Sequence, residues 1–282
     1  MKTIKVGGVP EHFNWPWRLA MESGRLLDLG VELRWQDYPG GSGVLSQALE
    51  VGELDLALLL TEAAATAIAN GARHRIVSWY TQSPLIWGIH VPSASDLTSV
   101  NDIQGARYAI SRHGSGSHLM CFAHAEQQAW DLSALNFVVV GGLQGAVDAF
   151  RRGQADVFFW EKYMTQPLVE SGEFRRVGEF VAPWPAFVLC AAEAQLADPA
   201  LAIAVLGVVL SCAAGVAAAG ESAEQIAAQY GLAPADVSAW LQTTRWASAP
   251  GIDTEVLARV LQVLEKVGLA PAGHAPENLL VP

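Results

Sequence analysis

The sequence predicts an α/β protein with two lobes, each a mixed, mainly parallel sheet flanked by helices, joined by a double crossover hinge. Two observations predict this architecture. Short apolar strands alternate with helical segments up to about Trp79, and the same alternation begins again at about Asp96. Such alternation favours parallel sheets with helices on their faces. After Asp198 the pattern is helical only, which indicates a helical return to the first lobe.

The first lobe reads as strands alternating with helices. We predict strands at 4–6, 31–35, within 52–60 and at 74–79, and helices at 16–27, at 44–50 and from Thr61 onward. Pro16 suits the first turn of its helix, where the missing N–H would have no partner. The continuous apolar run that ends at Leu60 indicates a strand buried on both faces.

The second lobe repeats the pattern. We predict strands at 106–110, 137–140, 155–160 and 174–180, with helices at 119–130 and within 142–153, and one more strand at 187–192 after the chain has returned to the first lobe. The chain would cross between lobes near 86–92 and near 181–184. Lobe I therefore comprises residues 1–88 and 184–282, and lobe II comprises 89–183. Two crossings make a hinge, and we expect a ligand in the interdomain cleft, beyond the carboxyl ends of the strands.

The composition excludes several classes of partner. A chain of 282 residues with 51% apolar and 16% charged residues is globular and long enough for two domains. The net charge of -11 argues against nucleic acid, because no basic surplus exists to neutralise phosphates. No Lys/Arg cluster would hold the chain to an anionic membrane. A small anionic ligand remains compatible, since one pocket can be positive in an acidic protein.

Metal and disulfide chemistry are not indicated. Cys121, Cys190 and Cys212 are widely spaced and form no Cys-x-x-Cys pair, so we predict buried reduced thiols. No His-x-x-x-His or His-Glu-x-x-His spacing exists, although ligands could still meet across the cleft. We predict no metal and no cofactor.

One segment has the length of a membrane span. Ala200 to Gly220 carries no charge over 21 residues, about enough to cross a bilayer. It consists mostly of Ala, Gly and Val, however, and Asp198 and Glu221 flank it in place of basic or aromatic residues. We predict a buried helix of a soluble domain and no membrane insertion.

Several segments together resemble a known fold. They are Ile4-Lys5-Val6-Gly7, Gly40–Gly43, Gly52-Glu53-Leu54-Asp55-Leu56-Ala57, Asp102 to Ile110, and Gly153-Gln154-Ala155-Asp156-Val157. The chain resembles the type II periplasmic-binding-protein fold, in its alkanesulfonate-, taurine- and nitrate-binding and thiamine-pyrimidine-synthase-like family. Val9-Pro10-Glu11-His12-Phe13 is closer to a leaderless intracellular subgroup. The resemblance implies two lobes that close on a small molecule.

The loop 7–17 after the first strand is rich in aromatic residues. It contains His12, Phe13, Trp15 and Trp17, and loops on a rigid scaffold tend to carry function. We predict that His12, Phe13 and Trp15 contact ligand, with Trp17 in the core. The alternative is a loop folded over the core with all its aromatics buried.

The loop 111–118 has the composition of an anion site. Gly114 and Gly116 let the backbone approach a ligand, Ser115 and Ser117 offer hydroxyls, and the next helix offers free N–H groups. His113 and His118 would add donors, or charge if protonated. The alternative is a cap that merely starts a helix. Neither a Gly-Lys-Ser/Thr phosphate loop nor a Gly-x-Ser-x-Gly elbow is present.

Further candidate site residues lie in a second Gly/Ser loop and at the ends of other strands. Gly41 and Ser42 lie in a similar Gly/Ser loop, for which a flexible turn is the alternative. The resemblance places a polar pocket residue at Thr61, and Glu62 would cap its helix. Trp160 would stack on a flat ligand, and Glu161 would accept from an amine or ring nitrogen. Trp184, between two prolines, would be a hinge or cleft wall.

We therefore predict a non-enzymatic protein that closes over a small organic anion, a carboxylate or sulfonate with an aromatic or heterocyclic part. The alternative is an enzyme of thiamine-precursor-like metabolism in the same cleft, with His12 or His113 as acid or base. The absence of that family's cysteine-rich iron motif favours the first hypothesis, so no catalytic residue is assigned.

A strand that starts right after Met1 favours a cytoplasmic protein. If a leader has been removed, the protein would be periplasmic and an ABC permease would be a partner. The oligomeric state is left open.

Overall fold

The computed structural model describes residues 1–218 and 222–282, and the predicted flank Glu221 lies outside them. The chain forms two compact units. Unit 1 contains Met1–Pro84 and Trp184–Pro282, and unit 2 contains Leu85–Pro183. Unit 2 is thus one continuous segment, whereas unit 1 is assembled from both ends of the chain.

Eight strands are present in the described ranges. They are β1 Lys2–Gly8, β2 Val31–Asp37, β3 Leu56–Leu60, β4 Arg75–Pro92, β5 Arg107–Ile110, β6 Asn136–Val139, β7 Val157–Glu161 and β8 Phe174–Ala191. In unit 1 the strand order is β2-β1-β3-β8, parallel except for the β3–β8 pair. In unit 2 the order is β8-β4-β7-β5-β6, with β5 parallel to both its neighbours and β4 antiparallel to β7. The prediction of a mixed, mainly parallel α/β fold is confirmed.

Eleven α-helices are described. They are α1 Trp15–Glu22, α2 Arg25–Asp28, α3 Ser42–Glu50, α4 Thr61–Ala69, α5 Gly116–Gln127, α6 Leu143–Arg151, α7 Gln166–Glu170, α8 Pro199–Ala218, α9 Ser222–Tyr230, α10 Pro234–Thr243 and α11 Thr254–Lys266. The first predicted helix is in fact two, α1 and α2. Gly24 separates them with a φ of 73°, a left-handed conformation that cannot continue an α-helix.

The crossings between units are strands, not loops. β4 and β8 each span 18 residues, longer than the predicted strands 74–79, 174–180 and 187–192. Pro183 and Pro185 both lie within β8, where the sequence pattern indicated a break. Extended backbone suits proline, and only its missing N–H limits it within a sheet. Both long strands therefore run from one unit into the other without interruption.

Each unit has its own apolar core. In unit 1, Val6, Leu56 and Leu58 on neighbouring strands are almost fully buried. In unit 2, Phe158 of β7 and Phe150 of α6 belong to one buried cluster, against which Trp160 packs. Parallel strands that are apolar on both faces need such cover from helices on each side.

Helix α8 is buried along one face only. Val205, Leu206, Val209 and Ala213 are buried, whereas Ile203 is 40% exposed. The buried face packs against α1 and α2 of the same unit. Over Pro199–Val216, α8 is long and apolar enough to cross a membrane by length and composition alone, a test that core helices of soluble proteins also pass. The expected buried helix is thus buried on one side.

Candidate functional site

The carboxyl ends of β1, β2 and β3 are tied together in unit 1. The Tyr38 N–H donates to the Gly8 carbonyl at 2.8 Å, and the Leu60 N–H donates to Ser42 Oγ at 2.9 Å. The second bond fixes the first turn of α3 to the end of β3. Gly41 precedes that helix with a φ of 73°. A loop predicted as a turn or an anion site is therefore a rigid helix start.

Ser42 and Gly43 present the first two N–H groups of α3, and neither has an acceptor among the described residues. Helix starts leave such groups unsatisfied unless side chains, water or ligands fill them. The Ser42 hydroxyl, in contrast, is used by Leu60, and its side chain is buried. Backbone rather than hydroxyl groups would therefore face a ligand at this loop.

The first turn of α4 clamps the strand that returns to unit 1. The Thr61 hydroxyl donates to the Pro185 carbonyl at 2.6 Å, and the Trp184 indole N–H donates to Glu62 Oε2 at 2.7 Å. Thr61 is 0% and Glu62 2% exposed. The hydroxyl hydrogen of Thr61 is thus committed to the fold, which corrects the expectation that it donates to a ligand. Trp184 is anchored in unit 1 by this contact.

Glu62, for which the sequence predicted a helix-capping role, lies in the first turn of α4 and is buried. Burial raises its pKa to about 7, although its own backbone N–H and the Trp184 indole act in the opposite direction. Desolvation disfavours the charged form of a carboxyl group. The carboxyl therefore changes charge close to neutral pH, inside the core of unit 1.

The loop after β1 is held by aromatic residues of β4, of α10 and of the segment after α10. The Phe13 carbonyl accepts hydrogen bonds from the Tyr80 hydroxyl at 2.7 Å and the Trp246 indole at 3.0 Å. The rings of His12 and Phe13 lie 4.1 and 5.1 Å from the Trp240 ring. These contacts resemble the alternative that the sequence left open, a loop packed over the core.

All four aromatic or imidazole side chains of this loop are buried. Trp17 is fully buried, as predicted, and His12, Phe13 and Trp15 are buried too. Burial lowers the pKa of His12 to about 3, so the imidazole is neutral. The direct role of His12, Phe13 and Trp15 in ligand binding stays a prediction. Glu11, which the sequence analysis did not single out, has a pKa raised to about 7 by desolvation.

In unit 2 the loop 111–118 is organised by its own side chains. Ser117 Oγ accepts the Ser111 N–H at 3.0 Å and lies 3.1 Å from Ser115 Oγ. Ser115 caps α5, since its Oγ accepts the His118 N–H at 3.3 Å. Ser115 and Ser117 are both buried. The predicted Gly/Ser loop is therefore a fixed structure in which the hydroxyls support the backbone.

His118 closes the loop as a hydrogen-bond acceptor. The Gly114 N–H donates to His118 Nδ1 at 3.1 Å, so the ring hydrogen of the neutral form resides on Nε2. Burial and the neighbouring His113 lower the pKa of His118 to about 4. His118 is therefore neutral at physiological pH, which corrects the expectation that it could supply charge. His113 is exposed and lies 5.1 Å from the His118 ring.

The same arrangement leaves donors free at the start of α5. The N–H groups of Gly116 and Ser117 have no acceptor within the described parts of the chain. They lie at the carboxyl end of β5, in a helix of 12 residues, where the partial positive charge of the helix dipole favours an anion. Arg112, which the sequence analysis did not single out, lies in this loop as well.

The residues at the end of β7 border this edge of unit 2. β7 runs parallel to β5, so both strands end at the same edge of the sheet. Trp160 is half-buried and stacks on Phe158, with ring centroids 5.1 Å apart and planes inclined at 20°. Glu161 is buried, and its Oε2 accepts the Met164 N–H at 2.7 Å. The predicted contacts of both residues with a ligand stay predictions.

No group of three or more His, Cys, Asp or Glu side chains that could hold a metal ion occurs among the described residues. Cys121 and Cys190 are buried free thiols, and Cys212 is a half-buried free thiol.

Comparison with known proteins identifies the fold. The chain has the type II periplasmic-binding-protein fold, because solved structures of that fold cover 99% of it. In particular it resembles the CA3427 gene product of Candida albicans, with a TM-score of 0.89 and 23% identity over 99% of this chain and 96% of that one. A family model described as Ca3427-like PBP matches residues 87–180.

Two bacterial proteins have a similar structure at 22% and 15% identity. One is the alkanesulfonate-binding protein SsuA of Xanthomonas axonopodis pv. citri, solved with MOPS bound (TM-score 0.78, 22% identity, 99% of this chain and 96% of that one). The other is the nitrate-binding protein NrtA of Synechocystis PCC 6803 (TM-score 0.75, 15% identity, 98% of this chain and 84% of that one). No curated protein matches the chain.

Proposed function

We propose that the protein binds a small organic anion, a carboxylate or a sulfonate, without transforming it. The observation that carries the proposal is the start of α5, where Ser115, Ser117 and His118 fix the loop and leave two N–H groups unpaired. Preorganised backbone donors at a helix N-terminus bind anions because no reorganisation is needed when the ligand arrives.

The start of α3 supports the same class of ligand from unit 1. Its first two N–H groups are also unpaired, and Ser42 holds that helix start to β3. The solved relatives of this fold include proteins described as binding sulfonates and nitrate. All of those ligands carry oxygen atoms that accept hydrogen bonds, which suits backbone donors.

The proposed aromatic or heterocyclic part of the ligand rests on Trp160. Its half-buried indole is supported from one side by Phe158, so a flat ligand group would meet a ring that is already held in place. A held ring loses little conformational entropy on binding.

Thermal shift with a panel of anions tests the proposal. Methanesulfonate, acetate, MOPS and nitrate are titrated against the purified protein, and at least one should raise Tm saturably, as linkage requires for a ligand of the folded state. Ser117→Ala should weaken this effect, because the loop loses the acceptor of the Ser111 N–H. Ser238→Ala, on the exposed surface of α10, is the matched control.

Native mass spectrometry of the purified protein extends the test to ligands outside the panel. A co-purifying anion that leaves unchanged would support binding without turnover. Conversion of the bound compound would instead favour the alternative, an enzyme of thiamine-precursor-like metabolism. If no anion stabilises the protein and none co-purifies, the proposed function is wrong. We propose a cytoplasmic location from the resemblance of Val9-Pro10-Glu11-His12-Phe13 to an intracellular subgroup, and fractionation of the source cells tests it.

A further inference from the structure

Arg112 is a half-buried cation without a counter-charge. No carboxylate lies within ion-pair distance of it among the described residues. Its one hydrogen bond joins Nη1 to the carbonyl of the adjacent His113 at 3.3 Å, the long end of the range. The guanidinium lies beside Gly114, since a Cβ built there would be 3.9 Å from Nη1.

The other half-buried arginines each have an ion pair or two hydrogen bonds to carbonyl or amide oxygens, although Arg175 Nε has no partner among the described residues. Arg18 pairs with Asp37, and Arg75 donates to two carbonyls at 2.8 Å. Arg175 donates to the carbonyls of Ser95 and Leu97, and Arg176 donates to the Lys162 carbonyl at 2.8 Å and to Gln166 Oε1 at 2.9 Å. Arg112, with one long hydrogen bond and no ion pair, is therefore held more weakly than these four arginines.

This departure is not explained by a shortage of acids. The chain has 28 acidic and 17 basic residues, so a carboxylate partner would be easy to provide. An unpaired charge taken partly out of water costs free energy that the fold must offset elsewhere. Burial without a compensating partner also lowers the pKa of Arg112. Uncompensated charges of this kind are concentrated at functional sites.

We infer that Arg112 supplies the counter-charge for the ligand and makes the site select an anion over a neutral molecule of the same shape. This inference rests on the proposed function and goes beyond it, since backbone N–H groups alone donate to neutral oxygen atoms as well. The planar guanidinium fork matches the oxygen pairs of carboxylates and sulfonates. Arg112 is thus a specificity-determining residue of unit 2.

Two pairs of probes of nearly equal shape test the inference by calorimetric titration. They are methanesulfonate with dimethyl sulfone, and acetate with acetamide. The wild-type protein should bind at least one anion about tenfold or more tightly than its neutral partner, the scale expected for a charged hydrogen bond. Arg112→Gln should remove this preference by weakening the anion and leaving the neutral probe unchanged. Arg112→Lys should keep part of it.

The control is Arg152→Gln, which removes the same charge from an exposed position in the same unit. It should leave the preference unchanged, and so exclude an effect of net charge alone. An anion preference that survives in a folded Arg112→Gln variant overturns the inference while the proposed function stands. If the wild-type protein binds none of the four probes nor any anion of the larger panel, the proposed function fails and the inference fails with it.

Discussion

The indole N–H of Trp184 donates a 2.7 Å hydrogen bond to Oε2 of Glu62, and both side chains are almost completely buried. Trp184 is the first residue of unit 1 after the chain leaves unit 2. With the bond from Thr61 to Pro185, this contact attaches the returning strand to the first turn of α4. The attachment contains one titratable group, the Glu62 carboxyl.

Glu62 should make the stability of the protein fall as the pH rises. Its folded-state pKa of about 7 lies above the ordinary value of 4.5, so the folded state holds the proton more tightly than the unfolded state. The stabilisation is complete below pH 4.5 and is lost as the pH rises through about 7. Glu62→Gln keeps an acceptor for Trp184 without the charge. We expect it to gain on the order of 1–3 kcal/mol relative to wild type between pH 5 and pH 8.5.

Chemical denaturation at several pH values measures this difference. Other groups titrate in the same range, Glu11 among them, but they do so in both proteins and cancel in the comparison. Unfolding free energies that stay parallel for wild type and Glu62→Gln across this range would show that Glu62 does not titrate there.

Thr61→Val should destabilise the protein by about 1–3 kcal/mol, because the carbonyl of the half-buried Pro185 would lose its hydrogen bond. Valine keeps the shape of threonine, so packing changes little. Thr66→Val on the same helix serves as the control, since the Thr66 side chain is only half-buried. Equal unfolding free energies for the two variants would contradict a structural role for the Thr61 hydroxyl.

Two glycine-to-alanine substitutions in helices should have opposite effects. At Gly145 in α6 a Cβ would collide with the backbone carbonyl of Val140, so Gly145→Ala should cost roughly 1–3 kcal/mol. At Gly207 in α8 nothing lies within 4 Å, so Gly207→Ala should gain up to about 1 kcal/mol from helix propensity. Thermal unfolding of the two variants shows whether each substitution raises or lowers the stability of the protein. If Gly145→Ala stabilised the protein instead, the loop before α6 must be able to move away from the added Cβ at little cost in free energy.

His118 should be neutral at pH 6, with its hydrogen on Nε2. The Gly114 N–H occupies Nδ1, and burial brings the pKa of the ring to about 4. Long-range ¹H–¹⁵N correlation spectra identify the tautomer, with His118→Gln used to assign the signal. An imidazolium signal for His118 at pH 6 would refute this assignment. It would also contradict the hydrogen bond from the Gly114 N–H to His118 Nδ1.

The sequence was sufficient for the alternation of strands and helices, because apolar runs and the glycines that end helices are local signals. The sequence did not predict that the chain passes between the units within the long strands β4 and β8. Pro183 and Pro185 are local break signals, yet β8 continues through both. Contacts with α4, distant in sequence, hold that strand in place. Local propensity cannot report a partner more than a hundred residues away.

The residues of the unit 2 site were found from the sequence, but their roles were not. Ser115, Ser117 and His118 were identified by residue type, whereas their hydrogen bonds turn inward and support the loop. Arg112 was missed because a single arginine forms no pattern. Its significance lies in the absence of both an ion pair and a short hydrogen bond among the described residues, which only a structure shows.

The clamp on the returning strand also bears on the order in which the molecule is built. Trp184 and Glu62 are separated by 122 positions, so unit 1 cannot complete its sheet until all of unit 2 has been synthesised. Unit 2 is one continuous segment and has all its contacts available earlier. Closing a long loop is entropically costly, and domains tend to fold as units during synthesis. Pulse-labelled hydrogen exchange during refolding should therefore protect β5 and β7 before β3, and the reverse order would show that unit 1 nucleates folding.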